Sequence, residues 1–245
     1  MITFNSRNVF ITGAANGIGR EVARLMASAG AHVALFDLNA HALALLADEL
    51  QGMGFACSTH VLNVADSHAC ASVFGTAAEQ LGGIDCLVHS AGIYPETPVE
   101  SMTDEQWRAL MAVNLDGAFF VCRAALPHLN ENSAIVTLAS VAGHKGSHSH
   151  AHYAASKGAL SSFSKSLALE LAPKTRVNIV APGIIATRMT NDLVQQKGNA
   201  LLAATPMERF GTPREVAGAI SFLCSDLASF ITGQTLHVNG GLYIV

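Results

Sequence analysis

Charge is scarce in this chain: only 13% of its 245 residues are Asp, Glu, Lys or Arg, and the formal net charge is −4. With 14 basic residues against 18 acidic ones, no basic surplus exists to hold nucleic acid or an anionic membrane, and neither is an expected partner. Cysteine is thin as well. Its five copies, at 57, 70, 86, 122 and 224, are odd in number and form no C-x-x-C pair. That excludes a disulfide framework and fits reduced thiols. No apolar run reaches the ~18 residues that cross a bilayer. The opening MITFNSRNVF is too short and too polar for a secretory signal, so the expected location is cytoplasmic. No linker, low-complexity tract or internal repeat divides residues 1–245, and one domain is expected.

What is present is apolar. Half of the residues are hydrophobic, enough for a large core and for subunit interfaces. The chain opens with a β-branched run, Asn8 to Thr12, which reads as a buried strand. A glycine-rich turn, Gly13-Ala-Ala-Asn16-Gly17-Ile18-Gly19, leads into a helical stretch over 20–29, closed by Gly30. A second strand follows, His32 to Phe36, with Asp37 at its tip. Strand, glycine turn, helix, strand and terminal acid within about 30 residues form the βαβ unit of dinucleotide binding. The glycines let the backbone approach a pyrophosphate, and the helix N-terminus offers unpaired N–H groups.

Asp37 bears on which dinucleotide. A carboxylate there accepts from ribose hydroxyls and repels a 2′-phosphate, and Ala15, Asn16 and Leu38 around it are not basic. NAD is therefore expected over NADP. The competing reading makes Asp37 an ordinary cap before the next helix.

Alternation continues: helix 39–51, strand 55–62, helix 67–81, strand 84–89, a long helix 103–129, strand 134–138, helix 149–171, strand 176–181, helix 215–225 and strand 234–238. Strands separated by helices imply a single-domain, Rossmann-type α/β fold, a doubly wound parallel sheet with helices on both faces. Residues 187–212 are the least regular and lie beyond a strand's C-terminal end. They are expected to form a substrate lid, with a plain surface excursion as the alternative.

Helix 149–171 carries the chemistry. Tyr153 and Lys157 sit one turn apart and project from one face. A neighbouring cation favours the phenolate, so the pair is expected to bring the tyrosine down from about 10 toward a range useful for proton transfer.

With these pieces together, the full length of the chain resembles the classical short-chain dehydrogenase/reductase family. The turn Thr12–Gly19 fits its T-G-x-x-x-G-x-G loop, and Asn114, Ser140, Tyr153 and Lys157 fit its catalytic tetrad in order and spacing. The tail from Pro206 to Gly241 looks most like the 3-oxoacyl carrier-protein reductase branch, a tail also found among sugar, polyol and steroid dehydrogenases.

The resemblance implies that Gly13, Asn16, Gly17, Ile18, Gly19 and Asp37 hold the nucleotide. Asn63 and Val64 would meet the adenine, and Ser90, Ala91 and Gly92 would lie alongside. Pro182, Gly183, Ile185 and Thr187 would join Tyr153 and Lys157 at the nicotinamide. It implies hydride transfer between nicotinamide and a secondary alcohol or ketone, including acyl thioesters. Tyr153 would be the proton donor, Ser140 the partner of the reacting oxygen, Lys157 a ribose contact, and Asn114 the centre of a kink that relays protons. A buried polar residue with no such task is the alternative for Asn114. A homotetramer is also implied, and the small residues of helix 149–171 and the apolar ending Gly241–Val245 suit close packing. A polyol, sugar or steroid dehydrogenase, or an NAD(H) sensor without catalysis, are the competing readings.

Two departures stand out. The chain has His89-Ser90-Ala91-Gly92 where the family has N-N-A-G, which is expected to weaken the ties between neighbouring strands. It has Asn63 where an aspartate usually meets the adenine. The cluster His144, His148, His150 and His152 is too loosely spaced for a metal, and none is expected. It reads instead as a substrate-side loop for polar or acidic groups, or as solvated loop residues.

Overall fold

The structure, a computed structural model, describes residues 2–244, the side chains of Gln196 and Lys197 excepted. Met1 and Val245, the end of the apolar tail, lie outside the described residues. Strands β1 (Asn8–Thr12), β2 (His32–Asp37), β3 (Cys57–Val61), β4 (Ile84–His89), β5 (Leu129–Leu138), β6 (Thr175–Pro182) and β7 (Thr235–Val238) form one seven-stranded sheet. The order is β3-β2-β1-β4-β5-β6-β7, and every pairing is parallel. After β3 the chain crosses back to lay β4 beside β1. That reversal opens a crevice at the C-terminal ends of β1 and β4, where doubly wound sheets bind ligands.

Strand alternation builds two cores. Val9, Ile11, Val33, Leu35, Cys86 and Val88 point to one face and pack with α1 (Gly17–Ser28), α2 (Ala40–Gly52) and α9 (Pro213–Cys224). Phe10, Ala34, Phe36, Leu87 and Ile135 point to the other, against α3 (Ser67–Leu81), α5 (Gly117–Ala125) and α7 (Ala151–Leu171). Burial on both faces explains why these strands read as continuous apolar runs. On the second face, Phe36 stacks on Phe74 of α3 at 4.5 Å between ring centroids.

The structure revises several expected boundaries. The long helix 103–129 is three pieces: α4 (Asp104–Met111), a π-helical turn (Ala112–Asp116) and α5, ending in a 3-10 turn, Leu126–His128. Thr103 caps its start, with Gln106 closing a reciprocal capping box. By length and composition Asp104–His128 is apolar enough to cross a membrane. Its Val121, Cys122 and Ala125 are instead fully packed against the sheet side of the fold.

Strand β5 starts at Leu129, five residues before the expected 134. A short helix, α6 (Ala142–Lys145), precedes α7. Residues 187–212 are more regular than expected, because α8 (Asn191–Ala203) fills much of the segment. Helix α8 buries none of its described residues.

Candidate active site

The glycine turn is fixed by close approach. Gly13 has φ +65°, and a Cβ there would come within 2.8 Å of the Ala91 nitrogen; a Cβ on Gly19 would strike the Gly13 carbonyl. Asn16 takes the N-cap position of α1 without a side-chain cap, so the first-turn N–H groups face the crevice unengaged. A cavity of about 340 Å³ runs from this turn to Tyr153.

Gly13, Asn16, Gly17, Ile18 and Asp37 line one end of the cavity. Ser90, Ala91 and Gly92 line its middle. Ser140, Tyr153 and Lys157, with Pro182, Gly183, Ile185 and Thr187, line the far end. Gly19, Asn63, Val64 and Asn114 do not line it. Gly19 lies under the turn; Asn63 is exposed, its amide oxygen accepting from Ala65 N at 3.1 Å. Val64 is buried against Gly117, where a Cβ would come within 2.9 Å of its methyl. A glycine cradle, free helix-end N–H groups and a carboxylate at the next strand's tip, along one cavity, fit an extended dinucleotide.

The turn is tied to β4 through Thr12. Its Oγ1 accepts from Ser90 N (3.2 Å) and Ala91 N (3.3 Å) and lies 3.0 Å from His89 Nδ1. With both lone pairs taken, the hydroxyl donates to His89, which leaves the proton on Nε2. The imidazole so retains a tie between β1 and β4 that the departure at His89 is expected to weaken. Burial, with the Lys157 charge adding to it, holds this ring neutral, its pKa pushed down to about 3.

Asn114 sits in the π-helical turn, fully buried. Its Oδ1 accepts from Ile93 N (2.8 Å), and its Nδ2 donates to Ile93 O (3.0 Å) and Ser156 Oγ (3.4 Å). The helix widens so that this carboxamide can clasp the segment after Gly92 and helix α7 together. The irregularity in the long helix at Asn114 is this π-helical turn.

Tyr153 and Lys157 share a face of α7, as their spacing requires, but the electrostatics reverse the expectation. Lys157 Nζ donates to the Leu138 carbonyl at 2.6 Å and stands 5.7 Å from the centre of the Tyr153 ring. Burial dominates both groups. It pushes the phenol up to about 12, with the Ser140 bond opposing and Tyr94 adding to the rise, and it pulls the ammonium down to about 8. The phenol is thus a stable proton donor in the protein alone. Spacing gives proximity; it does not give the balance between desolvation and Coulomb attraction.

That balance has a measurable cost. The folded pKa of Lys157 lies below its unfolded value, so the fold binds fewer protons between about pH 8 and 10.5, and stability rises with pH through that window. Below pH 8 the full penalty of the buried ammonium is present. Lys157→Met is therefore expected to stabilise the fold at pH 7 by about 1–3 kcal/mol, the lost bond to Leu138 offsetting part of the gain. Its advantage should fade toward pH 10, as read by chemical denaturation, while turnover is lost.

Tyr94 joins the site without a motif to announce it. It packs edge-on against Tyr153 (centroids 4.6 Å) and stacks on His150 (3.9 Å, 4° between planes). Only three tyrosines occur in the chain, and one lying two residues after Gly92 is a usable signal. The four histidines of the loop separate. His144 packs with His237 and Tyr243, His148 and His150 line the space beside Tyr153, and His152 is buried. Among the described residues no three His, Cys, Asp or Glu side chains converge as metal ligands.

Comparison with known proteins agrees with this geometry. A family model described as enoyl-(acyl carrier protein) reductase matches residues 13–243. The 3-oxoacyl-(acyl-carrier-protein) reductase FabG of Escherichia coli is 38% identical over 247 residues, covering 100% of both chains. That of Thermotoga maritima is 40% identical over 237 residues, 96% of each. A crystal structure from Brucella melitensis, described as short-chain dehydrogenase/reductase SDR: glucose/ribitol dehydrogenase, superposes with a TM-score of 0.96 at 44% identity, covering 100% of this chain and 99% of that one. The glycine cradle, the tetrad and these full-length likenesses together place the chain in the short-chain dehydrogenase/reductase family.

Proposed function

We propose that the protein is an NAD(H)-dependent oxidoreductase that interconverts a secondary alcohol and a ketone, with 3-oxoacyl groups as the leading substrate class. The observation that carries this reading is the convergence of Ser140, Tyr153 and Lys157 on the cavity that begins at the glycine turn. A bound nicotinamide would supply or take the hydride and, in its oxidised form, would carry a positive charge. In reduction the Tyr153 hydroxyl gives its proton to the ketone oxygen as the carbon receives hydride; in oxidation the phenolate takes the alcohol proton back. Ser140 donates to the same oxygen and stabilises its developing charge. Lys157, fixed by Leu138, holds its ammonium behind the phenol, and Asn114 holds the helix that carries both.

Support for NAD comes from Asp37, whose carboxylate closes the adenosine end of the cavity. Support for 3-oxoacyl substrates comes from the carrier-protein reductases of E. coli and T. maritima. The likeness to the Brucella glucose/ribitol dehydrogenase favours a second reading, sugar or polyol oxidation. Turnover of an acetoacetyl thioester, ribitol and a cyclic alcohol with each nicotinamide separates them. Reduction of the thioester with NADH is expected; oxidation of ribitol alone would transfer the assignment to the second class.

A homotetramer is supported by unpaired apolar surface. Phe119 on the outer face of α5 lies under the Arg123 guanidinium at 4.7 Å, Leu169 on α7 is 85% exposed, and Phe230 is wholly exposed. Such side chains suit subunit contacts. Light scattering at micromolar concentration is expected to give four times the chain mass; a monomer would reject the assembly.

A further inference from the structure

Past Tyr153 the cavity opens into a second chamber of about 260 Å³, at the small end of ligand pockets, which span about 300–1,000 Å³. Its two walls differ in chemistry. Ile184, Met189, Leu193 and Leu201 make one wall apolar, while Tyr94, Lys145, His148 and His150 form the other. The second wall comes from the loop between α6 and α7, turned by Gly146 (φ +79°) and Ser149 (φ +60°). That loop is strapped down where Thr97 N donates to the Ser149 carbonyl at 2.7 Å.

His150 is the fixed point of this wall. It is 4% exposed, its Nδ1 lies 2.7 Å from the His148 carbonyl, and its ring is stacked on Tyr94. A carbonyl only accepts, so Nδ1 carries a proton, and Nε2 is left to donate to an anion when the ring is the imidazolium, in which both nitrogens donate. Lys145 and His148 stand exposed around it. No Asp or Glu lines the chamber among the described residues. The carboxylate nearest Tyr94 in effect, Glu96, acts on its hydroxyl from outside the lining. Three basic side chains without an acid, opposite an apolar wall and beside the proton donor, call for a substrate with an anionic end.

We infer that this chamber selects short substrates bearing a free carboxylate a few bonds from the reacting ketone or hydroxyl, with Lys145 and His150 taking the carboxylate and the apolar wall its carbon chain. This rests on Tyr153 as the proton donor. It ranks substrates within the 3-oxoacyl class: a neutral thioester can still be reduced at Tyr153 but offers these basic groups no partner, whereas a free carboxylate receives charge-assisted hydrogen bonds.

The test pairs turnover with binding. In reduction by NADH, 3-oxobutanoate is expected to exceed its methyl ester at least tenfold in kcat/KM, through KM. The combined variant Lys145→Met, His150→Gln should cut that ratio to below threefold. Equal kcat/KM for acid and ester, or a ratio the variant leaves unchanged, overturns the inference. Binding of unreactive butanoate against butanamide, followed by calorimetry on the NADH-loaded protein, reads the chamber without chemistry. Butanoate preferred at least tenfold in the native chain and not in the variant supports the carboxylate site. Equal affinities refute it. Absence of turnover with every ketone, beside a retained butanoate preference, would strike the oxidoreductase reading and leave the anion site standing.

Discussion

Replacing Tyr153 by phenylalanine is expected to lower kcat by about 10²–10⁴-fold, the usual contribution of a positioned general acid, while the dissociation constant for NADH changes by less than about threefold. The change removes one oxygen. The ring keeps its edge-on contact with Tyr94, and the glycine turn and Asp37 lie at the other end of the cavity. With the phenol gone, Ser140 still donates to the ketone oxygen but cannot leave a proton there at neutral pH. Lys157 cannot substitute, because its ammonium is committed to the Leu138 carbonyl. Stopped-flow turnover on the best ketone and NADH fluorescence titration read the two quantities separately. A variant that retains a tenth of native turnover would remove Tyr153 from its role.

The reversed pKa shifts sharpen that expectation. In the protein alone the phenol is pushed up to about 12 by burial, so below that pH it is protonated and ready for reduction. Oxidation needs the phenolate, whose formation the positive charge of oxidised nicotinamide favours. Rates of alcohol oxidation should therefore rise with pH more steeply than rates of ketone reduction.

What could be read from the sequence followed from periodicity and spacing. Val9, Phe10 and Ile11 alternate between the two cores, and their unbroken apolar run already implied a strand covered on both sides. Tyr153 and Lys157 had to share a face because four residues make about one helical turn. Gly13, Asn16, Gly17, Ile18 and Asp37 line one end of the cavity and Ser140, Tyr153 and Lys157 the other, while Gly19, Asn63 and Val64 do not reach it; glycines at a strand-to-helix turn have few other uses. The failures share a cause as well. Helix α8 puts its apolar Leu193 and Leu201 on the second chamber and buries none of its described residues, a weaker mark than a core-facing stripe. The π-helical turn at Asn114 exists to bring a carboxamide to Ile93 and Ser156, partners distant in sequence. The sign of the Tyr153 shift depended on depth in the fold, and no local pattern carries depth. Tyr94 and His150 meet only because the loops after β4 and before α7 are strapped together at Thr97.

The second large effect concerns cofactor choice. Asp37 Oδ2 accepts from Ala15 N at 3.0 Å and Oδ1 from Asn39 N at 3.0 Å, which pins the carboxylate at the rim of the glycine turn. A 2′-phosphate placed there meets fixed negative charge; at about 4 Å such repulsion costs ~1–4 kcal/mol near a protein surface, and 1.4 kcal/mol is tenfold in affinity. Among the described residues the cations lining the cavity are Lys157 and Arg188, the latter following Thr187 at the other end from Asp37. Arg20 and Arg24, the basic residues of α1, are both paired to Glu49 at 2.6 Å. Asp37→Ala is therefore expected to reduce the ratio of kcat/KM for NADH over NADPH by about 10–100-fold, through lost ribose bonds and relieved repulsion together. It should stop near parity, since the alanine supplies no positive charge. Adding Leu38→Arg, at an exposed position just beyond the strand tip, should carry the ratio past parity toward NADPH. Parallel initial-rate series with the two cofactors measure both steps, and a ratio unchanged in Asp37→Ala would show that the carboxylate only shapes the turn.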